Sequence, residues 1–115
     1  MRFCFTFRPR FSSAVKAAFL DRDGVINVDY AYVHSRENFH FIPGALEGAA
    51  ELVRKGHQLI IVTNQSGIGR GKYSIDQFRE LTFWLAGVFA RNHAPLSAVY
   101  FCPHHPTHAF APYLK

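Results

Sequence analysis

Cysteine and acidic residues are scarce in this chain of 115 residues, and it contains no long apolar run. Its two cysteines, Cys4 and Cys102, are too few for a disulfide framework, and seven histidines without a secretion signal favour a reducing compartment. No apolar stretch approaches the roughly 18 residues of a membrane-spanning helix, and the N-terminus lacks the apolar segment of a secretory signal. These absences predict a cytoplasmic protein with no membrane partner.

The excess of basic residues is concentrated at one end of the chain. The formal net charge is +5, from 13 basic and 8 acidic residues. Residues 1–16 hold Arg2, Arg8, Arg10 and Lys16 and no acidic residue. A nucleic-acid-binding protein usually carries its basic surface on the folded body. We therefore predict no nucleic-acid partner.

The length and composition predict one small domain with a packed core, since apolar residues make up 49% of the chain. We interpret residues 1–15 as an N-terminal extension and residues 16–115 as the folded part. Within the extension Phe3, Phe5 and Phe7 alternate with other residues, which is a strand-like period. A disordered N-terminus is nevertheless the preferred interpretation of this segment.

From residue 16 onward, strands and helices alternate. Apolar runs predict strands over 17–20, 58–63 and 98–101. One helix is predicted to open at Pro43-Gly44 and to end at Gly56, and another to begin at an S-x-x-Q capping box at Ser74. Strand, helix, strand, helix, strand at this spacing indicates an α/β protein with a parallel sheet. In such sheets ligands bind beyond the carboxyl ends of the strands.

Polar clusters follow each predicted strand. Asp21 and Asp23 stand at i and i+2, a spacing that suits phosphoryl transfer, with one carboxylate attacking phosphorus and the other exchanging protons. An isolated D-x-D is more often a solvated turn. The segment 63–67 offers hydroxyls, amides and backbone N–H groups to an anion, and Arg70 and Lys72 add positive charge. Standing alone, this segment too is more often a plain loop.

The third cluster contains Cys102 and His104, with His105 and His108 nearby. A C-x-H pair can form half of a zinc site, but zinc normally takes four ligands, and no second cysteine pair follows. The alternative is a buried free cysteine beside exposed histidines.

The motifs are far more specific in combination than singly. They occur in the order FLDRDGVIN (19–27), IPG (42–44), VTNQSGI (62–68) and CPHHP (102–106). In this order they resemble the haloacid-dehalogenase (HAD) superfamily of phosphatases, and within it the D-glycero-D-manno-heptose 1,7-bisphosphate 7-phosphatases. The histidinol-phosphate phosphatases are a close alternative. The resemblance covers roughly residues 16–106.

The resemblance implies a reaction and a set of residue roles. The reaction is Mg²⁺-dependent removal of the 7-phosphate through an aspartyl-phosphate, in the synthesis of activated heptose for bacterial surface polysaccharide. Asp21 is expected to be the nucleophile and Asp23 the general acid and base. Asp21 and the backbone carbonyl of Asp23 are expected to hold Mg²⁺. The remaining implied roles are phosphate binding by Thr63 and Asn64, sugar-phosphate contacts by Asp29, Tyr30, Tyr32, Gln65 and Ser66, and half of a structural zinc site at Cys102 and His104.

The sequence departs from the family pattern after Pro106. The second zinc pair, an arginine-lysine pair, an acidic Mg²⁺ ligand and the last strands of the family are missing from residues 107–115. We therefore interpret the chain as a C-terminally truncated phosphatase, a partial HAD-like sheet of three strands and two crossover helices. Weak or no activity is expected, and a remnant that only binds sugar phosphate is the non-catalytic alternative.

The truncation also predicts an unusual surface. Right-handed crossovers place both helices on one side of the sheet, so the other side is bare over roughly 240 Å². The first strand becomes an open edge, and the segment with Phe3, Phe5 and Phe7 could shield that edge or the bare side of the sheet. The expected state is a monomer, or self-association through the exposed sheet.

Overall fold

Strands and helices alternate along the chain as the apolar pattern predicts, in a computed structural model that describes residues 3–7 and 16–104. The elements, in chain order, are the strands β1 (Cys4–Thr6) and β2 (Lys16–Leu20), a 3-10 turn (Arg36–Asn38), the helix α1 (Ala45–Arg54), the strand β3 (His57–Asn64), the short helix α2 (Ser66–Gly69), the helix α3 (Ile75–Arg91) and the strand β4 (Leu96–Cys102). The predicted α/β class is confirmed. The predicted strands are each extended by one to three residues in the structure.

The ends of the helices follow local chemistry that can be read in the sequence. At the start of α3 the Ser74 hydroxyl accepts a hydrogen bond from the Gln77 N–H at 3.0 Å, and the Gln77 side chain accepts one from the Ser74 N–H at 2.8 Å. This reciprocal pair satisfies two N–H groups that the helix itself leaves open. At the end of α1, Gly56 takes a φ of +95°, a left-handed conformation that favours glycine.

The four strands form one mixed sheet in the order β1-β4-β3-β2. The pairs β2–β3 and β3–β4 are parallel, whereas β1 runs antiparallel to β4. The prediction of three parallel strands joined by two crossover helices is confirmed. The strand β1 adds a fourth, antiparallel member that the fold prediction did not include.

The strand β1 lies on the edge of β4, not on the edge of β2. The Phe5 ring stacks 5.5 Å from the Phe101 ring and 6.2 Å from the Phe78 ring, measured between centroids. Phe7 meets Phe83 of α3 edge-on at 5.7 Å. The hypothesis that this segment shields the first strand is therefore wrong, because its phenylalanines pack against α3 at the far side of the sheet. Alternation identifies a strand but not its neighbour.

The two faces of the sheet differ strongly in burial. On one face, side chains of β3 and β4 pack with those of α1 and α3 in a core that includes Leu59, Ile61, Ala49, Leu85, Phe89 and Val99. On the other, Phe19, Val62 and Tyr100 are 67%, 48% and 47% exposed. We call the surface formed by Phe19, Ile60, Val62 and Tyr100 the bare face. Within residues 3–7 and 16–104, both crossover helices pack on the opposite side.

The contribution of β1 can be tested with two phenylalanines of contrasting burial. Replacing Phe5 with alanine is expected to lower the free energy of unfolding by about 2–3 kcal/mol, because three aromatic contacts are lost from a partly buried position. The matched change Phe19→Ala is expected to cost less than about 0.5 kcal/mol, since that ring is mostly exposed. Urea denaturation measures both. Equal losses for the two variants would contradict the position of β1.

Candidate active site

A cavity of about 240 Å³ lies at the carboxyl ends of β2 and β3. Parallel strands bring their carboxyl ends to one edge of the sheet, which is why residues far apart in sequence meet here. The cavity is lined by Asp21, Asp23, Asp29, Tyr32, Asn64, Gln65, Ser66, Gly67 and Tyr73. Seven of these are residues with a role implied by the family resemblance, Gly67 belongs to the predicted anion-binding segment 63–67, and Tyr73 has no signal in the sequence analysis.

The two carboxylates after β2 face the same cavity but are held very differently. Asp21 is exposed and accepts one hydrogen bond, from the Arg22 N–H at 2.8 Å. Asp23 accepts hydrogen bonds from three side chains: Arg22 at 2.9 Å, Asn27 at 2.9 Å and Gln65 at 3.2 Å. One carboxylate is thus free to react, and the other is fixed in place beside it.

Gln65 connects the two strand ends through its amide group. Its Nε2 donates to Asp23 at 3.2 Å and to the Thr63 hydroxyl at 2.9 Å, while its Oε1 accepts a hydrogen bond from the Tyr73 hydroxyl. Thr63 is only 3% exposed and does not line the cavity, and its hydroxyl is bonded to Gln65. Asn64 and Ser66 present their side chains to the cavity in its place.

Tyr73 forms one wall of the cavity from the loop that precedes α3. Burial raises the pKa of its hydroxyl above the ordinary value, with nearby Asp23 and Tyr32 acting in the same direction and Arg22 opposing them. The hydroxyl therefore stays protonated at neutral pH and can donate to Gln65. The His34 ring stacks on the Tyr73 ring at 5.0 Å between centroids, and this contact fixes the orientation of the Tyr73 ring.

Gly67 is required by the close approach of two tyrosines. A Cβ atom at this position would lie 2.4 Å from the Tyr73 ring and 2.8 Å from the Tyr32 ring, both closer than real side chains allow. The residue belongs to α2, a single helical turn where the sequence predicted only a loop. Because Gly67 has no side chain, the rings of Tyr32 and Tyr73 can pack close to its backbone beside the cavity.

The loop after Asn27 brings Asp29 and Tyr32 to the cavity in a strained conformation. Ala31 and Tyr32 have φ values of +65° and +58°, in the left-handed region that residues other than glycine seldom adopt. The Asp29 carboxylate stabilises the turn by accepting the Ala31 N–H at 2.9 Å. Tyr30 points elsewhere, with its hydroxyl 3.0 Å from Nδ1 of His40, and it does not line the cavity.

Two cations stand next to the cavity around the Tyr32 ring. The Arg70 guanidinium donates to the Tyr32 hydroxyl and lies 5.7 Å from the ring centroid. The Lys72 ammonium lies 5.6 Å from the same centroid. Positive charge therefore adjoins the three aspartates, as an anionic ligand requires.

Cys102 and His104 lie outside the cavity. Cys102 is a free, partly buried cysteine, and the His104 ring meets the Phe3 ring edge-on at 5.4 Å. His105 and His108 lie outside the described residues. Among residues 3–7 and 16–104, no group of three or more His, Cys, Asp or Glu side chains is arranged to hold a metal ion. No helix in those ranges is long and apolar enough to cross a membrane.

A larger cavity, of about 600 Å³, opens between the 3-10 turn and α3. It is lined by Arg36, Glu37, Glu80 and Trp84 among others. It contains neither of the carboxylates after β2, and it lies away from the strand ends. The smaller cavity is therefore the candidate active site.

The hydrogen bond from Tyr73 can be tested by removing one oxygen atom. Tyr73→Phe leaves the buried Gln65 carbonyl without its partner, which is expected to cost about 1–3 kcal/mol of unfolding free energy. Tyr30→Phe is the matched control, because its hydroxyl bonds an exposed histidine and its loss is expected to cost less than about 0.5 kcal/mol. Thermal and urea unfolding measure both. Identical stabilities of the two variants would exclude this role for Tyr73.

Curated relatives match this chain over most of its length. The D-glycero-beta-D-manno-heptose-1,7-bisphosphate 7-phosphatase of Vibrio cholerae is 51% identical over 100 residues, which is 87% of this chain and 54% of the relative. The enzyme of the same name from Escherichia coli K12 is 50% identical over 95 residues, 83% of this chain and 50% of the relative. This chain is therefore similar in sequence to one half of the heptose-bisphosphate phosphatases. No family model matches it.

Solved structures of HAD-like phosphatases are similar to this chain in fold. A HAD-like phosphatase from Mesorhizobium loti superposes with a TM-score of 0.86 at 29% identity, covering 97% of this chain and 54% of that one. A D,D-heptose 1,7-bisphosphate phosphatase from B. bronchiseptica, complexed with magnesium and phosphate, gives 0.76 at 32% identity, over 84% and 55% of the two chains. Both of these solved neighbours are described as phosphatases. The chain spans about half the length of the curated relatives it matches.

Proposed function

We propose that this chain carries the reacting carboxylates of a phosphatase that removes the 7-phosphate of D-glycero-D-manno-heptose 1,7-bisphosphate. The observation that carries the proposal is the shared cavity of Asp21 and Asp23 at the end of β2, opposite Asn64 and Ser66. The relatives are named for this substrate. Their names favour heptose bisphosphate over histidinol phosphate, which the motifs alone leave open.

The two aspartates lie in different environments, which suit a nucleophile at Asp21 and a general acid and base at Asp23. Asp21 has one hydrogen bond and is exposed, so its free oxygen can attack phosphorus while the bond from phosphorus to the sugar oxygen breaks. Asp23 is held at the same cavity by Arg22, Asn27 and Gln65, which positions its carboxyl group beside the leaving sugar oxygen, and it donates a proton to that oxygen from its protonated form. Asp23 then takes a proton from the water that hydrolyses the aspartyl-phosphate, and Asp21 is regenerated.

The neighbouring residues have supporting roles in this proposal. Asn64 and Ser66 bind the transferring phosphoryl group, and the Thr63 hydroxyl holds Gln65 behind them. Asp29 and Tyr32 contact the sugar phosphate from the opposite wall. Tyr30 is bonded to His40, so its loop must move before it can reach the substrate. Arg70 and Lys72 contribute positive charge next to Tyr32.

Mg²⁺ is the proposed cofactor, held by the Asp21 carboxylate and the Asp23 carbonyl. The fit rests on hard oxygen donors that converge on one cavity, the ligand type that Mg²⁺ prefers. When bound, the ion would offset negative charge on the phosphoryl group. A magnesium and phosphate complex of the B. bronchiseptica phosphatase supports this choice. Zinc at Cys102 and His104 stays a prediction, since two further ligands are needed.

The proposal is tested by phosphate release from two substrates in the presence of Mg²⁺. Heptose 1,7-bisphosphate is expected to react at least about tenfold faster than histidinol phosphate, and EDTA is expected to stop both reactions. We expect a polypeptide of these 115 residues to release phosphate at least about 100-fold more slowly than the Vibrio cholerae relative, because the residues match only 54% of that relative and each electrostatic donor absent from a site typically costs about 10²–10³ in rate. Faster histidinol-phosphate turnover would overturn the substrate assignment. Binding of heptose bisphosphate without turnover would favour the non-catalytic alternative.

A further inference from the structure

The loop of residues 28–33 forms one wall of the cavity, and we call it the wall loop. Two of its side chains, Asp29 and Tyr32, line the cavity. Two of its residues, Ala31 and Tyr32, have left-handed φ values of +65° and +58°. Residues other than glycine keep such a conformation only where the surrounding structure constrains them. The position of this wall therefore depends on the contacts that hold the loop at its two ends.

Both ends of the wall loop are bonded to side chains that also bind the Asp23 carboxylate. At the last residue of the loop, Nη2 of Arg22 donates to the Val33 carbonyl at 2.8 Å, and the same atom donates to Asp23 at 2.9 Å. At the first residue, Nδ2 of Asn27 donates to the Val28 carbonyl at 3.2 Å and to Asp23 at 2.9 Å. One nitrogen atom on each side chain thus joins the carboxylate to the loop.

The two bridging side chains are buried. Arg22 and Asn27 are 2% and 0% exposed, and the Arg22 guanidinium lies over the rings of Phe39 and Phe78. Hydrogen bonds that involve a charged group and are shielded from water are stronger than those at the surface. The Asp23 carboxylate and the wall loop are therefore held in fixed positions relative to each other.

We propose that Arg22 is a positioning residue that holds the Asp23 carboxyl group at a fixed distance from the wall formed by Asp29 and Tyr32. This role rests on the proposed function, in which Asp23 exchanges the proton and the wall contacts the sugar phosphate. Arg22 does not line the cavity and acts through these neighbours. Misplacing a reacting group by about 1 Å can cost roughly 100-fold in rate, so a shift of Asp23 against the wall is expected to slow the reaction.

The alternative is that Arg22 only fills the space beside Phe39 and Phe78. Methionine fills much of that space but donates no hydrogen bond. Lysine keeps the positive charge and a nitrogen donor, although its side chain is one atom too short to reach the position of Nη2. If Arg22 positions Asp23 and the loop, lysine restores part of what methionine loses. If Arg22 only packs, methionine is the better replacement.

The first measurement follows the wall loop and needs no reaction. Chymotrypsin cleaves after Tyr30 and Tyr32 when the loop opens, whereas cleavage within β4 requires global unfolding, and mass spectrometry gives the ratio of the two rates. Arg22→Met is expected to raise this ratio at least about tenfold and Arg22→Lys less than about threefold. Phe5→Ala is the matched control, because its expected loss of stability is close to that of Arg22→Met but arises in β1. Its ratio is expected to stay within about twofold of the wild type.

The second measurement separates rate from affinity. Single-turnover phosphate release from heptose 1,7-bisphosphate with Mg²⁺ is recorded at several protein concentrations, at a temperature where each variant is folded. Arg22→Met is expected to lower the rate constant at least about 30-fold and to weaken the apparent affinity at least about threefold, with partial recovery in Arg22→Lys. The affinity for inorganic phosphate, which lacks the sugar that the wall contacts, is expected to stay within about twofold. Phe5→Ala is expected to keep the wild-type values.

A double variant keeps the test possible if Arg22→Met does not fold. Arg22→Met with Asp23→Asn removes both charges of the buried pair, so it is expected to be the more stable of the two. Its cleavage ratio is still expected to lie at least about tenfold above the wild type, because the side-chain donor to the Val33 carbonyl is lost.

Two results would overturn the role of Arg22. One is a cleavage ratio that rises no more in Arg22→Met, or in the double variant, than in Phe5→Ala. The other is an Arg22→Met chain that protects the loop as well as Arg22→Lys does, which would leave Arg22 with packing alone. If the cleavage ratios follow the expected order but the wild-type chain releases no phosphate, the fixed position of the wall loop stands and the proposed function alone is contradicted.

Discussion

Arg22→Met is expected to lower the free energy of unfolding by about 3 kcal/mol. Arg22 is 2% exposed, and its guanidinium binds the Asp23 carboxylate at 2.9 Å and the Val33 carbonyl at 2.8 Å. Removing one partner of a buried ion pair leaves the other without compensation, which typically costs about 3–5 kcal/mol. We expect the lower end because the Asp23 side chain is partly exposed, and because Nη1 of Arg22 has no hydrogen-bond partner within the described residues.

Two further variants separate charge from packing. Arg22 also lies over the rings of Phe39 and Phe78, at 5.7 and 5.9 Å from their centroids, and methionine preserves much of that packing. The double variant Arg22→Met with Asp23→Asn removes both charges and is expected to recover part of the loss. Arg54→Met is the surface control, since its pair with Glu51 is exposed and its loss is expected to leave the urea midpoint nearly unchanged. A urea midpoint unchanged by Arg22→Met would contradict the role of this buried arginine.

The parallel sheet could be predicted from the sequence because its signals are local. Four consecutive apolar residues at 59–62 indicate a strand within a sheet, although Val62 is exposed on one face, and the capping box at Ser74 marks the first turn of α3. The convergence of the aspartates with Asn64 and Ser66 then follows from a general property of parallel sheets. These inferences need no knowledge of which side chains touch.

The features that could not be predicted depend on contacts distant in sequence. Tyr73 looks like an ordinary aromatic residue before a helix, and only its hydrogen bond to Gln65 places it in the cavity wall. The pairing of β1 with β4 depends on ring contacts with Phe78 and Phe101, more than 70 residues away. Thr63 follows the motif, but its hydroxyl is bonded to Gln65 and it does not line the cavity. In each case the partner is chosen by three-dimensional packing, which periodicity does not record.

The difference between the two aspartates also decides which variant tests the chemistry cleanly. Asp23→Asn removes the charge opposite buried Arg22, so a loss of activity could reflect a loss of folding. Asp21 is exposed, and its hydrogen bond comes from the Arg22 N–H, which an asparagine oxygen can equally accept. Asp21→Asn is therefore expected to change the free energy of unfolding by less than about 0.5 kcal/mol.

Asp21→Asn is expected to lower phosphate release from heptose 1,7-bisphosphate by at least about 10³-fold, because an amide does not replace a carboxylate as the nucleophile. The measurement is single-turnover phosphate release at high protein concentration, together with mass spectrometry for a phosphorylated aspartate at position 21. The wild-type chain is expected to show a mass increase on the peptide containing Asp21, and the variant none. Asp76→Asn, on the exposed start of α3, is the control and is expected to keep the wild-type rate and label. Wild-type turnover by Asp21→Asn, or a label on another residue, would assign the attack on phosphorus to a different group.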